Sequence, residues 1–181
     1  MNYNDDPRPE FSRIINLRDL PKDEMQLDLL ATFAECAALA ERFEISAITN
    51  MRAIGALKRL GSARVRLRVT LEAKVSQTCV VSLDPVIKRI KEKIDIQFEY
   101  QRTGAAALNI AFDPSSDCEP LVDDLFDVGE FLAEELALSL DPYPKKPGIT
   151  PGIELDGFTI EAKELPGSGA FEALAVLKRK E

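Results

Sequence analysis

Arginine at every second position, Arg64, Arg66 and Arg68, followed by Lys74, is the feature of this 181-residue chain whose spacing most directly suggests chemistry. On an extended strand, alternate side chains leave one face about 6.6 Å apart, a spacing that suits a row of phosphates on a polyanion. Lys88, Arg89, Lys91 and Lys93 extend the basic set. The same stretch, RVRLRVTLEAKVSQTCVVSL, carries a thiol at Cys79, and further along come the acids Asp123, Asp124, Asp127, Glu130, Glu134 and Glu135. Three chemistries are therefore available: phosphate contact, thiol or metal chemistry, and carboxylate chemistry or recruitment of a basic partner.

The absence of histidine narrows the choice. Ser-His and Cys-His hydrolases need an imidazole base, and zinc sites built on histidine are excluded with them. An all-cysteine zinc site needs four thiolates, whereas the chain has Cys36, Cys79 and Cys118 only. These are widely spaced, odd in number, and expected to remain reduced. Ser82 stands where the partner of a C-x-x-C pair with Cys79 would be, so Cys79 reads as a small buried apolar residue. Neither GxxxxGK[ST] nor GxGxxG occurs, which leaves nucleotide binding by these cradles without support. The acidic cluster lacks the alternating ligand spacing of a calcium loop, and helix capping and solvation account for it. The expectation is no catalytic residue, no metal and no cofactor. A carboxylate-dependent metal enzyme stays as an alternative, because paired carboxylates can hold Mg²⁺ or divide acid and base roles.

Net charge is −8, unevenly distributed. Residues 51–93 hold eleven Lys or Arg against three acids, and residues 94–164 hold sixteen acids against four bases. A basic and an acidic sector are expected, the first able to meet a polyanion despite the acidic total.

The elements that must position these groups follow from periodicity. From Arg64 to Ser76 the chain alternates without error, placing Val65, Leu67, Val69, Leu71, Ala73 and Val75 on one face of a strand. Val86–Tyr100 supplies a second strand with Val86, Ile90, Ile94, Ile96, Phe98 and Tyr100 on its apolar face. Paired as a hairpin over about 62–100, and if partner numbers sum to 163, the two set Arg64 opposite Glu99, Arg66 opposite Gln97, Arg68 opposite Asp95 and Glu72 opposite Lys91. Two readings remain open at this point. The stripe can neutralise itself across the strands, leaving a cationic excess at Lys74, Lys88 and Arg89 near the tip, or it can stand as a phosphate platform. No aromatic residue interleaves with the cations as a stacking surface requires. A thirteen-residue strand of about 43 Å exceeds the usual five or six residues, which predicts a strongly bent or barrel-like sheet.

Residues 1–10 read as a disordered lead, Phe11–Leu17 and Met25–Leu30 as strands, and Thr32 with Glu35 as a capping box opening a helix over 33–43. Residues 45–60 fit neither period throughout; strand is preferred, with Gly55 against a helix interior. Residues 101–126 read as loop around a strand at Leu108–Phe112. Asp127 and Glu130 open a helix over 128–140, ended by Asp141-Pro142-Tyr143-Pro144. KKPGITPGIELDGF and LPGSG read as linkers and FEALAVLKRK as a short amphipathic helix. The fold class is α+β: one domain over 11–148, an antiparallel, strongly bent or barrel-like sheet with two or three peripheral helices, and an extended 149–181 tail whose helix packs on the domain. No apolar run approaches the roughly 18 residues of a membrane span, and MNYNDDPRPE lacks the flank and apolar stretch of a signal peptide, so the expected compartment is the cytoplasm.

CVVSLDPV, followed later by DVGEFLAEELALSLDPYPKKPG, resembles the YceD-like family, the large ribosomal RNA subunit accumulation proteins. An ALAERF-type helix, the turn from Gln77 to Pro85 and the Asp127 helix ending in Pro-Tyr-Pro carry the likeness over about residues 11–148, with the FEALAVLK tail. Cys79, Leu83, Asp84 and Pro85 match the turn; Val81 and Ser82 occupy the places of the arginine and second cysteine in C-x-R-C-L, a departure from any paired-thiol role. The resemblance implies a non-enzymatic bacterial cytoplasmic protein that supports accumulation of large-subunit ribosomal RNA through RNA or ribosomal-protein contact, with no membrane or nucleotide cofactor. On that basis Arg64, Arg66, Arg68, Lys74, Lys88, Arg89, Lys91 and Lys93 are expected to contact ribosomal RNA or a pre-ribosomal particle. Asp123, Asp124, Asp127, Glu130 and Glu134 are expected to meet a basic ribosomal protein. An adaptor that binds protein without RNA is the alternative.

Overall fold

Unbroken alternation across residues 64–78 makes the central strand of a five-stranded sheet. The computed structural model describes residues 9–61, 64–100, 118–121, 124–149, 153–155 and 158–160. In chain order these form β1 (Ile14–Asn16), a 3₁₀ turn (Leu17–Asp19), β2 (Glu24–Leu30), α1 (Phe33–Arg42), β3 (Ala47–Leu60), β4 (Arg64–Thr78), β5 (Pro85–Tyr100), β6 (Cys118–Leu121), β7 (Leu125–Asp127), α2 (Val128–Leu138), β8 (Ile153–Leu155) and β9 (Phe158–Ile160). The main sheet has the order β2-β3-β4-β5-β6 and curls into a half-barrel. β1 pairs with β7, and β8 with β9.

The hairpin register is the one considered from the cross-strand charges: Arg64 faces Glu99, Arg68 faces Asp95 and Glu72 faces Lys91. Val65, Leu67, Val69, Leu71, Ala73 and Val75 are all buried, and α1 and α2 cover that face, α1 chiefly against β3. From α1 come Cys36, Leu39 and Ala40; from α2 come Val128, Phe131, Leu132, Ala133 and Leu136. Phe98, Phe126 and Phe131 lock sheet to helix, with Phe98 4.7 Å from Phe126 and edge-on to Phe131 at 5.3 Å.

β3 explains why residues 45–60 obey no single period. Between Thr49 and Arg52 the register against β4 slips, with Asn50 at φ 57°. Asparagine tolerates this left-handed conformation better than most residues, and the extra residue of the bulge reverses which positions face inward. Ile48 is buried before the slip; Met51, Ala53 and Leu57 are buried after it. Further along β3, a Cβ on Gly55 would lie 1.9 Å from the Arg68 carbonyl oxygen, so the two strands approach closely only because Gly55 has none.

One expectation needs correction. The sheet is mixed, because β6 runs parallel to β5, with Gln97 beside Cys118 and Tyr100 beside Leu121. Cys-Glu-Pro-Leu has neither alternation nor β-branched residues and carries a proline that only an edge position tolerates, so nothing local marked it as a strand. The helix count is two α-helices among the described residues. FEALAVLKRK, the strand expected at Leu108–Phe112 and the lead at residues 1–8 lie outside the described residues. β7 and the β8–β9 pair were also unforeseen, although Asp156-Gly157 between β8 and β9 in sequence is a dipeptide favoured in two-residue hairpin loops.

Both helices begin as their capping residues dictate. Glu35 N–H donates to Thr32 Oγ1 (3.3 Å) and Thr32 N–H to Glu35 Oε2 (2.7 Å), while Arg13 reaches the same carboxylate at 2.7 Å. Hydrogen bonding from Arg13, ahead of that from Thr32, holds the Glu35 pKa down at about 2, against the opposing effect of burial. At α2, Asp127 Oδ1 accepts from Gly129 N–H (3.0 Å), Glu130 N–H (3.2 Å) and Arg13 N–H (2.7 Å). One carboxylate thus starts a helix and fastens the N-terminal segment to it.

Candidate nucleic-acid interface

On the sheet face away from the core, register sets nine cations against five carboxylates: Arg52, Lys58, Arg64, Arg66, Arg68, Lys74, Arg89, Lys91 and Lys93 against Glu24, Asp28, Glu72, Asp95 and Glu99. Four of the carboxylates hold cations, and Glu24 accepts from Gln26 Nε2 (2.8 Å). Asp95 holds Arg66 at 2.6 Å and Arg68 at 3.3 Å, Glu99 holds Arg64 at 3.4 Å, Glu72 holds Lys91 at 2.5 Å and Asp28 holds Arg52 at 2.6 Å. The bond from Arg66 is the main reason that the Asp95 pKa falls below its ordinary value, and Lys91 does the same for Glu72. Among the described residues, Lys58, Lys74, Arg89 and Lys93 have no carboxylate within 4.0 Å. Lys74 and Arg89 face each other directly, and Lys93 lies further along the same face.

Lys88 is displaced from this group. It stands opposite Val75, on the face that elsewhere makes the core, and is exposed there. Its alternation parity, the same as that of Ile90 and Val86, already assigned it to that side.

The hairpin tip is closed by residues far away in sequence. Cys79 N–H donates to the Asp84 carbonyl (2.8 Å) and Leu83 N–H to the Cys79 carbonyl (3.0 Å), with Leu83 in the left-handed region at φ 60°. Across the tip lies the segment after α2. Gln77 Nε2 donates to the Asp141 carbonyl (2.8 Å), Val80 N–H to the Pro144 carbonyl (2.9 Å), and Lys146 Nζ reaches Asp84 Oδ2 at 3.0 Å. Ser82 N–H and Lys146 N–H both point at Cys79 Sγ, each at 3.4 Å. The sulfur has no exposed surface, yet at this thin tip few atoms lie beyond its immediate shell. Desolvation therefore counts for less than the donors around it. The Ser82 hydroxyl, then the Ser82, Lys146 and Val81 N–H groups, draw the thiol pKa down to about 6. The expected burial of Cys79 holds, in a polar shell rather than an apolar one. Of the other turn residues, Asp84 is bound to Lys146, and Leu83 is exposed. Pro85 begins β5.

The acidic residues are largely employed inside the molecule. Asp124 is 4% exposed and paired with Arg18; Asp127 caps α2; Glu130 holds Arg42 at 2.7 Å. Glu134 is exposed, and Asp123 lies outside the described residues. Beside Glu134, the pKa of Glu135 is raised by burial and by the negative charges of Glu119, Glu134 and Glu92. Among the described residues no three Cys, Asp or Glu side chains converge as a metal site requires, and no helix is long and apolar enough to cross a membrane.

What spacing alone did not reveal is the company at the tip. Lys58 was obscured by the phase change in β3. Tyr143, Lys145 and Lys146 arrive from the far end of α2, and no local pattern signals a contact over so long a loop.

Fold and surface together define an α+β protein built around a curled sheet whose outer face is ionic and whose long hairpin ends in a clasped, basic tip. Residues 67–178 match the family model for the large ribosomal RNA subunit accumulation protein YceD, and the chain belongs to that family. The match starts within β4 and includes the tip, its clasp and α2. No curated protein and no solved structure matches the chain. Family membership implies a role in the accumulation of large-subunit ribosomal RNA.

Proposed function

We propose that the protein supports large-subunit ribosomal RNA accumulation as a non-enzymatic cytoplasmic factor that touches the RNA itself, through the tip half of the outer sheet face. The observation that carries this reading is the contrast along one face. Arg64, Arg66 and Arg68 are held by Glu99 and Asp95, whereas Lys74, Arg89 and Lys93 have no ion pair among the described residues. Unpaired cations on a chain of net charge −8 concentrate positive potential where a polyanion can use it, while carboxylates offset most of the charge on the rest of the face, where Lys58 also stands without an ion pair among the described residues. Each phosphate neutralised adds about 0.7 to the salt slope for a single strand or about 0.9 for a duplex. Three contacts therefore predict a slope near −2 to −3.

Titration of large-subunit ribosomal RNA at several salt concentrations tests this. The wild type should bind with that slope, and Lys74→Gln/Arg89→Gln/Lys93→Gln should flatten it by about 2. Absence of salt-dependent binding by the wild type would refute direct RNA contact.

A second reading rests on the acids around Glu135. Burial first, and then the charges of Glu119, Glu134 and Glu92, raise the Glu135 pKa, and this gathering of acids favours a basic ribosomal protein docking on Glu92, Glu119, Glu134 and Glu135. That partner should be co-purified after nuclease treatment and lost on Glu134→Gln/Glu135→Gln.

A further inference from the structure

For most of its length β5 has a neighbour on one side only. β4 pairs with all of Pro85–Tyr100, whereas β6 reaches Gln97–Tyr100 alone, so among the described residues no strand lies along the other side of Pro85–Ile96. Ile87, Arg89, Lys91, Lys93 and Asp95 are all exposed there. A sheet edge of this kind presents a row of unused backbone donors and acceptors.

Register fixes which groups make up the row. Antiparallel strands exchange hydrogen bonds at every second pair, and the pairs between turn their N–H and C=O groups away from each other. Cys79 N–H donates to the Asp84 carbonyl at 2.8 Å, which sets the phase: Val75 with Lys88, Ala73 with Ile90 and Leu71 with Glu92 are the bonded pairs. Ser76, of the other parity, gives its carbonyl to Ser46 N–H at 3.0 Å, on the β3 side. Its partner Ile87, and with it Arg89, Lys91, Lys93 and Asp95, therefore aim their backbone groups at the open side of β5. The same residues supply the open backbone row and three of the cations of the outer face.

Charge decides what this edge accepts. The β5 of another copy would bring these cations against their own kind, which disfavours pairing. A strand with acids on its outer face meets them with the opposite sign, and Arg89 and Lys93 have no ion pair among the described residues. On the inner face Ile90 is buried and Ile94 partly buried, so apolar side chains suit that face of an added strand. We infer that the open side of β5 docks an extended segment of a partner protein whose side chains alternate acidic and apolar, bonded through the backbone to Ile87–Asp95. The docking is independent of RNA contact, although both draw on Arg89 and Lys93.

Amide hydrogen exchange of the full-length chain, followed by NMR, tests this with a capped peptide of about eight residues alternating Val and Glu. Without peptide, the N–H groups of Ile87, Arg89, Lys91 and Lys93 should exchange fast and those of Lys88, Ile90 and Glu92 slowly. Peptide should slow the first set by at least about 10-fold and leave the second as it was. A peptide alternating Val and Lys should not bind. Methylating the peptide's Glu nitrogens and methylating its Val nitrogens should give opposite results, one abolishing binding and the other sparing it, because only alternate residues face β5. Lys93→Pro removes an outward N–H at a position where an edge strand tolerates proline. It should melt near the wild type and bind at least about 5-fold more weakly than Lys93→Gln, the effect of one ordinary hydrogen bond. If Lys93→Pro does not fold, the two methylated peptides decide. No protection of the outward N–H groups by the Val-Glu peptide, equal loss with both methylated peptides, or equal binding of the Val-Lys peptide overturns the edge site. Protection that appears in concentrated protein without peptide assigns the edge to a second copy and overturns it too. Protection by oligouridine but not by peptide assigns the edge to RNA, which also overturns it.

Discussion

Asp95 is the charge on which the outer face turns, and its removal should make the protein bind RNA more tightly. It accepts from Arg66 Nε and one terminal nitrogen at 2.6 and 2.7 Å and lies 3.3 Å from Arg68 Nε. Asp95→Asn keeps the shape and one acceptor but releases two guanidiniums from their counter-charge. Arg66 and Arg68 are at adjacent outward positions on β4, a spacing near that of successive phosphates, so both can engage one strand. Two added contacts steepen the salt slope by about 1.5. The advantage of Asp95→Asn over the wild type should then shrink about eight-fold between 50 and 200 mM salt, the concentration range in which counterion release is commonly read. Fluorescence anisotropy at four or five salt concentrations measures this directly. Thermal stability should hardly move, since all three side chains are solvent-accessible and exposed ion pairs contribute little. An unchanged slope and affinity in Asp95→Asn, with a binding wild type, would show that the arginine stripe does not face the RNA, and the cross-strand pairs would be structural only.

Three further outcomes follow from the geometry. Glu35→Gln removes the charge that Arg13 holds, at a cost of about 1 kcal/mol near neutral pH. Because the folded pKa of about 2 lies below the ordinary 4.5, this contribution is present above about 4.5 and lost as pH falls through 2, so acid unfolding curves of variant and wild type should converge at the low end. Thiolate absorbance should place Cys79 near pH 6 and well below the ordinary 9.0; Ser82→Ala should move it upward. The native preference for thiolate contributes stability that is complete above about 9 and disappears below about 6, and a thiol titrating near 9 in the wild type would contradict the donor shell. Gly55→Ala drives a methyl into the Arg68 carbonyl and Val69 Cα, both backbone, and should destabilise by about 2–3 kcal/mol in urea unfolding, whereas a neutral effect would mean that β3 and β4 separate freely.

The hairpin was legible because alternation over thirteen residues allows only one face inward, and the register that favourable cross-strand charges suggested, Arg64 opposite Glu99, is the one that forms. Both helix starts were legible because a cap is a local device: Thr32 with Glu35, and Asp127 with the N–H groups just beyond it, act within one turn. β3 was half legible, since its bulge at Asn50 cancels the period that a reader would follow. β6 was not legible at all, because a short edge strand beside a buried neighbour needs no pattern of its own. The cationic site divides in the same way. Register disclosed the pairing of Arg64 and Arg68 but not the diagonal bond of Arg66, whose direct partner is Gln97, to Asp95, and Tyr143 and Lys146 enter through tertiary contacts that leave no trace in spacing.

The clasp also has a consequence for the order of events during synthesis. β4 and β5 are neighbours in sequence and can pair as soon as both exist, but Val80 finds Pro144, and Cys79 finds Lys146, only after more than sixty further residues have been made and α2 has docked. A nascent or truncated chain can therefore present the hairpin without its finished end. The clasp is therefore the last part of the tip to form, whereas Lys74, Arg89 and Lys93 take their places once β4 and β5 pair.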